Sequence, residues 1–287
     1  MPDPRLIAIK GTDNADRQGD VIFVHGLGGS ALETWHTDKK ALEKAQKSEG
    51  EAFQPGQLNF WPAWLGEDYP QLGIWSLDYD IEPLAWRGNT MPLTDRATNI
   101  LQVFSNKRIG NRPILFITHS MGGLLVKQML RSAFDFGNPR WKKIEENTKG
   151  IVFLATPHSG SDLSNLMQFV NRVLQGVMRA SVSVEELEAN HSRLRELNNV
   201  YRNHTRLSQI PVDAYFETQP YNPVGLVVDQ ASADPGMQGV VPIGVGADHI
   251  TICKIAPEDK TNSIVYNSIK LFIEDYLLAK TEVPQRP

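Results

Sequence analysis

Short runs of consecutive apolar residues recur along the chain, and amphipathic segments separate them. Strands that are covered on both faces read as continuous apolar runs, whereas in strands with one solvent-exposed face apolar and polar residues alternate. Strands of this kind that alternate with helices are typical of a mostly parallel sheet with helices on both faces. We therefore predict a doubly wound α/β fold with strands at Leu6–Lys10, Val21–His25, Gly73–Asp78, Ile114–Thr118, Ile151–Ala155, Val212–Glu217 and Val240–Val245.

The apolar residues between these strands follow helical spacing, which predicts helices over Asp95–Ser105, Met121–Phe134 and Thr261–Ala279. Residues 38–62 are rich in lysine and glutamate and indicate a surface helix and loop.

Residues 161–207 are a longer helical excursion, in which Ser183 and Glu186 form a capping box that predicts the start of a second helix. We predict one domain over residues 1–287, in which 161–207 forms a helical cap over a site. The alternative is that its apolar stripe only packs on the sheet.

Charge and cysteine content narrow the classes of partner. The 29 basic and 33 acidic residues give a net charge of −4, and no basic block occurs, so nucleic acid is not expected to bind. The single cysteine, Cys253, excludes an intramolecular disulfide and favours a reducing compartment. No segment approaches the roughly 18 apolar residues of a membrane span. We expect a cytoplasmic protein, with peripheral membrane contact and oligomeric state left open.

The predicted strand at 114–118 runs directly into Ser120 and two glycines. A strand, a nucleophile and a helix joined by a very tight turn require small residues two positions before and two after the nucleophile. Gly122 meets this requirement, whereas Thr118 departs from the usual G-x-S-x-G pattern. Ser120 is the candidate nucleophile, and ordinary packing is the alternative reading of the motif.

A glycine-rich loop follows the early strand at Val21–His25. In acyl transfer, backbone N–H groups stabilise the negative charge on the carbonyl oxygen, each by about 3 kcal/mol. Such loops and the residue after the nucleophile supply these donors, which indicates the N–H groups of Leu27 and Met121. The loop also fits a dinucleotide-binding pattern, but no second strand ends in an acidic residue about 20 residues later. We therefore predict no dinucleotide cofactor.

A general base follows the last predicted strand. His249 comes after nucleophile and acid, which is the chain order of this kind of triad. The acid is expected near the end of the strand at Val212–Glu217, where Glu217 is the first candidate, Asp229 the second and Asp234 the third. The three motifs occur in the right order and together predict a serine hydrolase with no metal or organic cofactor.

These motifs resemble the serine-active-site-containing, lipase-like α/β-hydrolases, which are related to the inositol deacylases that act on glycosylphosphatidylinositol anchors. The resemblance spans about residues 20–277 and implies ester hydrolysis or acyl transfer, often on lipids. It rests on Val24–Gly29, Phe60–Leu65, Ile74–Tyr79, Phe116–Lys127, Phe153–Gly160, Phe216–Pro220 and Ala247–Lys254.

The expected reaction is cleavage of a carboxylic ester through an acyl-enzyme, with a lipase-like or phospholipase-like substrate. Apolar and aromatic side chains are expected to receive the acyl chain. Small esters, thioesters and acyl transfer are the alternatives, and a silent binding module of a larger assembly is a further one. The candidate substrate-binding residues are Leu166, Met167 and Val170 in the predicted cap and Trp75.

Overall fold

The structure is a computed structural model that describes residues 3–38, 60–79, 93–158, 165, 166, 168, 169, 172 and 184–279. Most of the segment predicted as a surface helix and loop lies outside the described residues, as do Met167 and Val170. The described strands are β1 (Arg5–Lys10), β2 (Gly19–Val24), β3 (Leu72–Asp78), β4 (Ile114–His119), β5 (Thr148–Leu154), β6 (Val212–Glu217) and β7 (Ile243–Val245).

These strands form one sheet in the order β1-β3-β2-β4-β5-β6-β7. β1 runs antiparallel to β3, and the other neighbouring pairs are parallel. The predicted mostly parallel sheet is confirmed. The last strand is shorter than expected: it begins at Ile243, and the apolar Val240 and Val241 precede it as loop.

Helices cover both faces of the sheet. Asn138 caps α4 by accepting from the N–H of Arg140, and Pro139 opens the helix. Neither α4 nor α1 was predicted: α4 is short and mostly polar, and the buried residues of α1 lie all around the helix and form no single amphipathic stripe. The helices are α1 (Trp61–Asp68), α2 (Leu93–Asn106), α3 (Met121–Asp135), α4 (Pro139–Asn147), α5 (Val184–Asn203), α6 (Gln230–Ala233) and α7 (Ile264–Phe272), which continues as a π-helical turn over Ile273–Leu277.

The sheet separates two hydrophobic cores. Alternate residues of β2 point to opposite faces, so Val21 and Phe23 join one core while Ile22 and Val24 join the other. All of β2 is buried, and its residues from Val21 to Val24 therefore read as a continuous apolar run. In the first core Phe23 packs edge-to-face against Trp35 and Trp61, with ring centroids 5.0 and 4.8 Å apart.

The strand order reverses between β2 and β4, which are parallel neighbours at the middle of the sheet. From this point the chain winds outward in both directions, and the loops that leave the carboxyl ends of β2 and β4 diverge to form a crevice. The loop after β2 is the predicted glycine-rich loop, and the turn after β4 contains Ser120. The topology thus brings two of the three predicted motifs together.

Candidate active site

The turn between β4 and α3 consists of Ser120, whose φ of 50° and ψ of −127° are unusual for a residue with a side chain. This conformation is typical of a strained strand-to-helix turn that exposes a nucleophile. The Ser120 N–H donates to the carbonyl of Leu154 (2.9 Å), and the Ser120 carbonyl accepts from Thr156 Oγ1 (3.0 Å). The end of β5 therefore holds the turn in place.

The two positions that flank Ser120 explain how the tight turn is accommodated. A Cβ at Gly122 would lie 2.5 Å from the carbonyl oxygens of Val24 and His25, so no larger residue fits there. Thr118, the departure from the usual pattern, is buried in β4 and its Oγ1 donates to the carbonyl of Val152 on β5 (3.0 Å). The hydrogen bond across the sheet compensates for burying the threonine hydroxyl.

Three side chains from different loops meet at this turn. His249 Nε2 lies 3.0 Å from Ser120 Oγ, and His249 Nδ1 lies 3.4 Å from Glu217. The side chains of His249 and Glu217 are fully buried. With a proton on Nδ1, His249 donates a hydrogen bond to the carboxylate, and its Nε2 accepts a hydrogen bond from the Ser120 hydroxyl. The 3.4 Å separation is long, as such bonds often are before substrate binds.

Glu217, the last residue of β6, accepts from two backbone N–H groups at Oε1, those of Val227 (2.8 Å) and Val228 (2.6 Å). These bonds compensate for burying a carboxylate. The other two acid candidates are used locally instead. Asp229 caps α6 by accepting from the N–H of Ser232 (2.8 Å), and Asp234 accepts from that of Gly236 (2.8 Å). The geometry brings Glu217, and neither aspartate, to the histidine.

The glycine-rich loop lies against the nucleophile. A Cβ at Gly26 would lie 2.7 Å from Ser120 Cβ, so the two backbones make close contact. Leu27 follows directly and packs against the first core, while Met121 opens α3 at the positive end of the helix dipole. The oxyanion role of Leu27 and Met121 stays a prediction.

A short 3-10 turn over Glu33–Trp35 follows the glycine-rich loop, whereas a dinucleotide site needs a long helix at this place.

Tyr79, which sequence reasoning did not single out, fixes this loop. Its hydroxyl donates to the carbonyl of His25 (2.6 Å), and its ring lies against the His25 ring with centroids 4.4 Å apart. Burial raises the pKa of Tyr79, so the phenol keeps the proton that it donates. Tyr79 is the last residue of the motif over Ile74–Tyr79. The signal in the sequence for this contact is an aromatic residue at the end of a predicted strand.

An apolar wall covers the histidine. Phe169 is buried and its edge meets the ring of His249, with centroids 4.8 Å apart, and that of Tyr221, at 5.0 Å. Leu166 is fully buried in the same core. The substrate role of Leu166 stays a prediction, and the contact of Phe169 adds Tyr221 to the aromatic wall.

Trp75 lies elsewhere. Its ring belongs to the second core, and its Nε1 donates to Oδ1 of Asp20 (2.8 Å), near the start of β2. The indole therefore points toward the amino ends of the parallel strands, whereas Ser120 lies at their carboxyl ends. This placement corrects the prediction that Trp75 lines the substrate site.

A buried lysine lies on the helix that begins at the nucleophile turn. Lys127 of α3 donates from Nζ to Nδ1 of His158 (2.7 Å) and to Oδ1 of Asn198 (2.8 Å). The same atom lies 5.4 and 5.1 Å from the ring centroids of Phe153 and Tyr201. Because Asn198 and Tyr201 belong to α5, these contacts tie α5 to the nucleophile helix. His158, which follows β5, is fully buried here.

Lys127 gives a pH-dependent stability that can be measured. Burial lowers its pKa from 10.5 to about 7, so between these values the unfolded chain binds the extra proton. The free energy of unfolding should therefore rise with pH in this window, by up to about 1.4 kcal/mol per pH unit. Lys127→Met should remove that rise. The nearby His158 does not interfere, because burial and Lys127 hold its pKa well below 6.5.

Urea unfolding of the wild type and Lys127→Met at pH 7 and pH 9 measures this difference. Lys149→Met is the matched control, since Lys149 is partly exposed and donates to the carbonyl of Glu146. Equal pH dependence in the wild type and Lys127→Met would contradict the assignment of the depressed pKa to Lys127.

Two negative findings concern the described part of the chain. No cluster of three or more histidine, cysteine, aspartate or glutamate side chains there is arranged to hold a metal ion. Likewise, none of the helices described is both long and apolar enough to cross a membrane.

The sequence from residue 17 to residue 206 matches the family described as PGAP1-like alpha/beta domain. The chain belongs to this family. It is also similar to Protein SERAC1 of Danio rerio, with 33% identity over 276 residues, and of Homo sapiens, with 31% over 277 residues. Each match covers 92% of this chain but 40% of the relative, so the chain spans well under half the length of those proteins.

Solved structures of lipases and esterases share the fold of this PGAP1-like chain. A lipase-esterase related protein from Clostridium acetobutylicum superposes with a TM-score of 0.52 at 14% identity, over 95% of this chain and 100% of that one. The lipase BlEst2 from Bacillus licheniformis gives a TM-score of 0.54 at 14% identity, over 93% and 97%. The predicted α/β-hydrolase fold and the resemblance to lipase-like α/β-hydrolases are confirmed, and fold and family together support a hydrolase.

Proposed function

We propose that the protein is a serine hydrolase that cleaves carboxylic esters through an acyl-enzyme. The observation that carries the proposal is the contact of Ser120 Oγ with His249 Nε2 at 3.0 Å, with Glu217 on the other side of the imidazole. A nucleophile, a base and a buried orienting carboxylate in this arrangement are recognised by their geometry and roles rather than by their position in the chain.

In the acylation step Ser120 Oγ attacks the ester carbonyl while its proton passes to His249 Nε2. The imidazolium that forms is stabilised by Glu217. The N–H groups of Val227 and Val228 hold this side chain in position. The negative carbonyl oxygen would be bound by the N–H groups of Leu27 and Met121, the second of which adds the helix dipole of α3. His249 then returns its proton to the leaving alcohol.

In the second step water enters and attacks the acyl-enzyme. His249 takes a proton from this water and gives it to Ser120 Oγ as the acid product leaves. No metal or organic cofactor is needed for either step. An alcohol in place of water would give acyl transfer, which is the alternative outcome of the same chemistry.

The apolar wall beside His249 supports an ester with a lipid-like acyl chain. Phe169 lies against the His249 ring and Tyr221 packs on Phe169, so aromatic side chains lie next to the base. Each CH₂ group of a substrate that leaves water for such a surface gains about 0.8 kcal/mol. A cytoplasmic location, peripheral membrane contact and the cap role of residues 161–207 stay predictions.

Acyl chain length tests this proposal. We expect kcat/KM for p-nitrophenyl octanoate to exceed that for p-nitrophenyl acetate by at least about tenfold in mild detergent, because several buried CH₂ groups are gained. The octanoyl thioester, measured beside the oxygen ester, tests the thioesterase alternative. Equal rates on acetate and octanoate would overturn a lipid-like substrate and favour the small-ester alternative.

Substitution of the wall sharpens the same test. Phe169→Ala should reduce the octanoate-to-acetate ratio by about threefold or more, because it removes apolar surface beside His249. Phe134→Ala is the matched control: Phe134 is 39% exposed on α3 and packs on His204, away from the wall. An unchanged ratio in Phe169→Ala would place the acyl chain elsewhere.

A further inference from the structure

One buried imidazole at the site has no part in the proposed reaction. His119 is the last residue of β4 and directly precedes the nucleophile, and it is 6% exposed. Adjacent side chains diverge at a tight turn, and the His119 ring contacts the loop of His249. Its Nε2 lies 2.8 Å from the backbone carbonyl oxygen of His249, and the two rings lie 5.0 Å apart.

This contact fixes the tautomer of His119. A backbone carbonyl can only accept a hydrogen bond, so His119 Nε2 must carry the hydrogen. Burial, and then the proximity of His249, hold the pKa of His119 well below 6.5. The ring therefore stays neutral at the pH at which esterases are assayed, and it presents one fixed donor to the loop of the base.

Other contacts hold the loop of His249 from the side of β6 and from its own residues. Gln219 donates its N–H to the carbonyl of Ala247 (3.0 Å), and Asp248 accepts from the N–H groups of Ile250 (2.9 Å) and Thr251 (2.8 Å). These bonds shape the loop. The His119 bond is different in kind, because it joins the backbone of the base itself to the residue next to the nucleophile.

We propose that His119 is a positioning residue that sets the distance between His249 Nε2 and Ser120 Oγ through its hydrogen bond to the His249 carbonyl. This inference rests on the proposed function. Reacting groups that shift by about 1 Å can lose about 10²-fold in rate, so a single bond at this place can affect turnover strongly. Since His119 does not touch the ester, its loss should change kcat and leave KM nearly unaltered.

Three variants separate the hydrogen bond from packing and polarity. His119→Phe keeps the ring volume and removes the donor. His119→Gln places an amide N–H near the position of Nε2, whereas the shorter amide of His119→Asn reaches only the position of Nδ1. We expect kcat to fall about 10- to 100-fold in the Phe and Asn variants with KM changed less than about threefold, and to recover within about threefold of the wild type in Gln.

Activity of His119→Phe equal to that of the wild type would overturn the inference, and so would a Gln variant as slow as Phe. Thermal unfolding verifies that each variant is folded. If His119→Phe does not fold, the comparison of Gln with Asn decides in the same way.

A spectroscopic readout separates this inference from the proposed function. Imidazole ¹⁵N NMR should show His119 as the Nε2–H tautomer in the wild type and in Ser120→Ala, with no protonation between pH 6 and pH 8. An Nδ1–H tautomer would overturn the inference even in an active enzyme. Conversely, a wild type with no Ser120-dependent turnover would refute the proposed function, and with it the role of His119, whatever the tautomer.

Discussion

Ser120→Ala is expected to lower kcat/KM for an activated ester by about four orders of magnitude or more. The substitution removes only Oγ, so the attack on the carbonyl has no nucleophile, while the oxyanion donors and the binding surface remain. The backbone of Ser120 makes its own bonds to Leu154 and Thr156, which alanine retains. Stability should therefore change little, and kinetics with a chromogenic ester beside thermal unfolding measures both quantities.

A second serine on the same helix provides the control. Ser132 is also buried on α3, about 18 Å along the helix axis from Ser120. Ser132→Ala should retain wild-type kcat/KM within about twofold, since a change so far from the site does not alter the reacting groups. A folded Ser120→Ala protein that hydrolyses the ester as fast as Ser132→Ala would show that another group is the nucleophile.

Glu217→Gln should lower kcat about 10³- to 10⁴-fold, since an orienting carboxylate changed to its amide fails to hold the histidine in the right tautomer. Glutamine keeps an oxygen that can accept from Val227 and Val228, but the NH₂ that takes the place of Oε2 then faces His249 Nδ1. Two donors cannot bond to each other, so the imidazole loses its orienting partner. The measurement is kcat and KM with an ester that the wild type hydrolyses.

Asp229→Asn is the matched change at the other acid candidate. Asparagine keeps the Oδ1 acceptor that caps α6 at Ser232, so both stability and kcat should stay within about twofold of the wild type. A large loss in Asp229→Asn together with a near-normal Glu217→Gln would exchange the roles of the two residues.

The sequence alone supports a definite prediction wherever local pattern and chain order decide the outcome. Continuous apolar runs locate the buried parallel strands, because the two cores demand apolar residues on both faces of β2. The glycine two positions after Ser120 follows from the requirements of the turn. These features are properties of short segments, and they can be read without knowing what packs against them.

Other features depend on contacts between distant segments. Glu217 and Asp229 both lie in the region where an acid is expected, and only the folded loop between them directs the N–H groups of Val227 and Val228 at Glu217. In the same way, a strand that is apolar on both faces does not reveal which core Trp75 enters.

His119 shows the limit most clearly. Its divergence from Ser120 can be expected from the turn, whereas its contact with the His249 carbonyl joins residues that lie 130 positions apart in the chain. Contacts of this range are set by sheet order and loop path, which no local pattern encodes.

The most direct test of the central claim is to treat the purified protein with a fluorophosphonate, which reacts with activated serine hydroxyls, and to locate the adduct by mass spectrometry. Ser120→Ala is treated in parallel, and detergent micelles are included so that an apolar wall over the site does not block the probe. The account predicts one adduct, on Ser120, that is absent from Ser120→Ala. A folded wild type that stays unlabelled with and without micelles would contradict it and favour a binding module with a hydrolase fold.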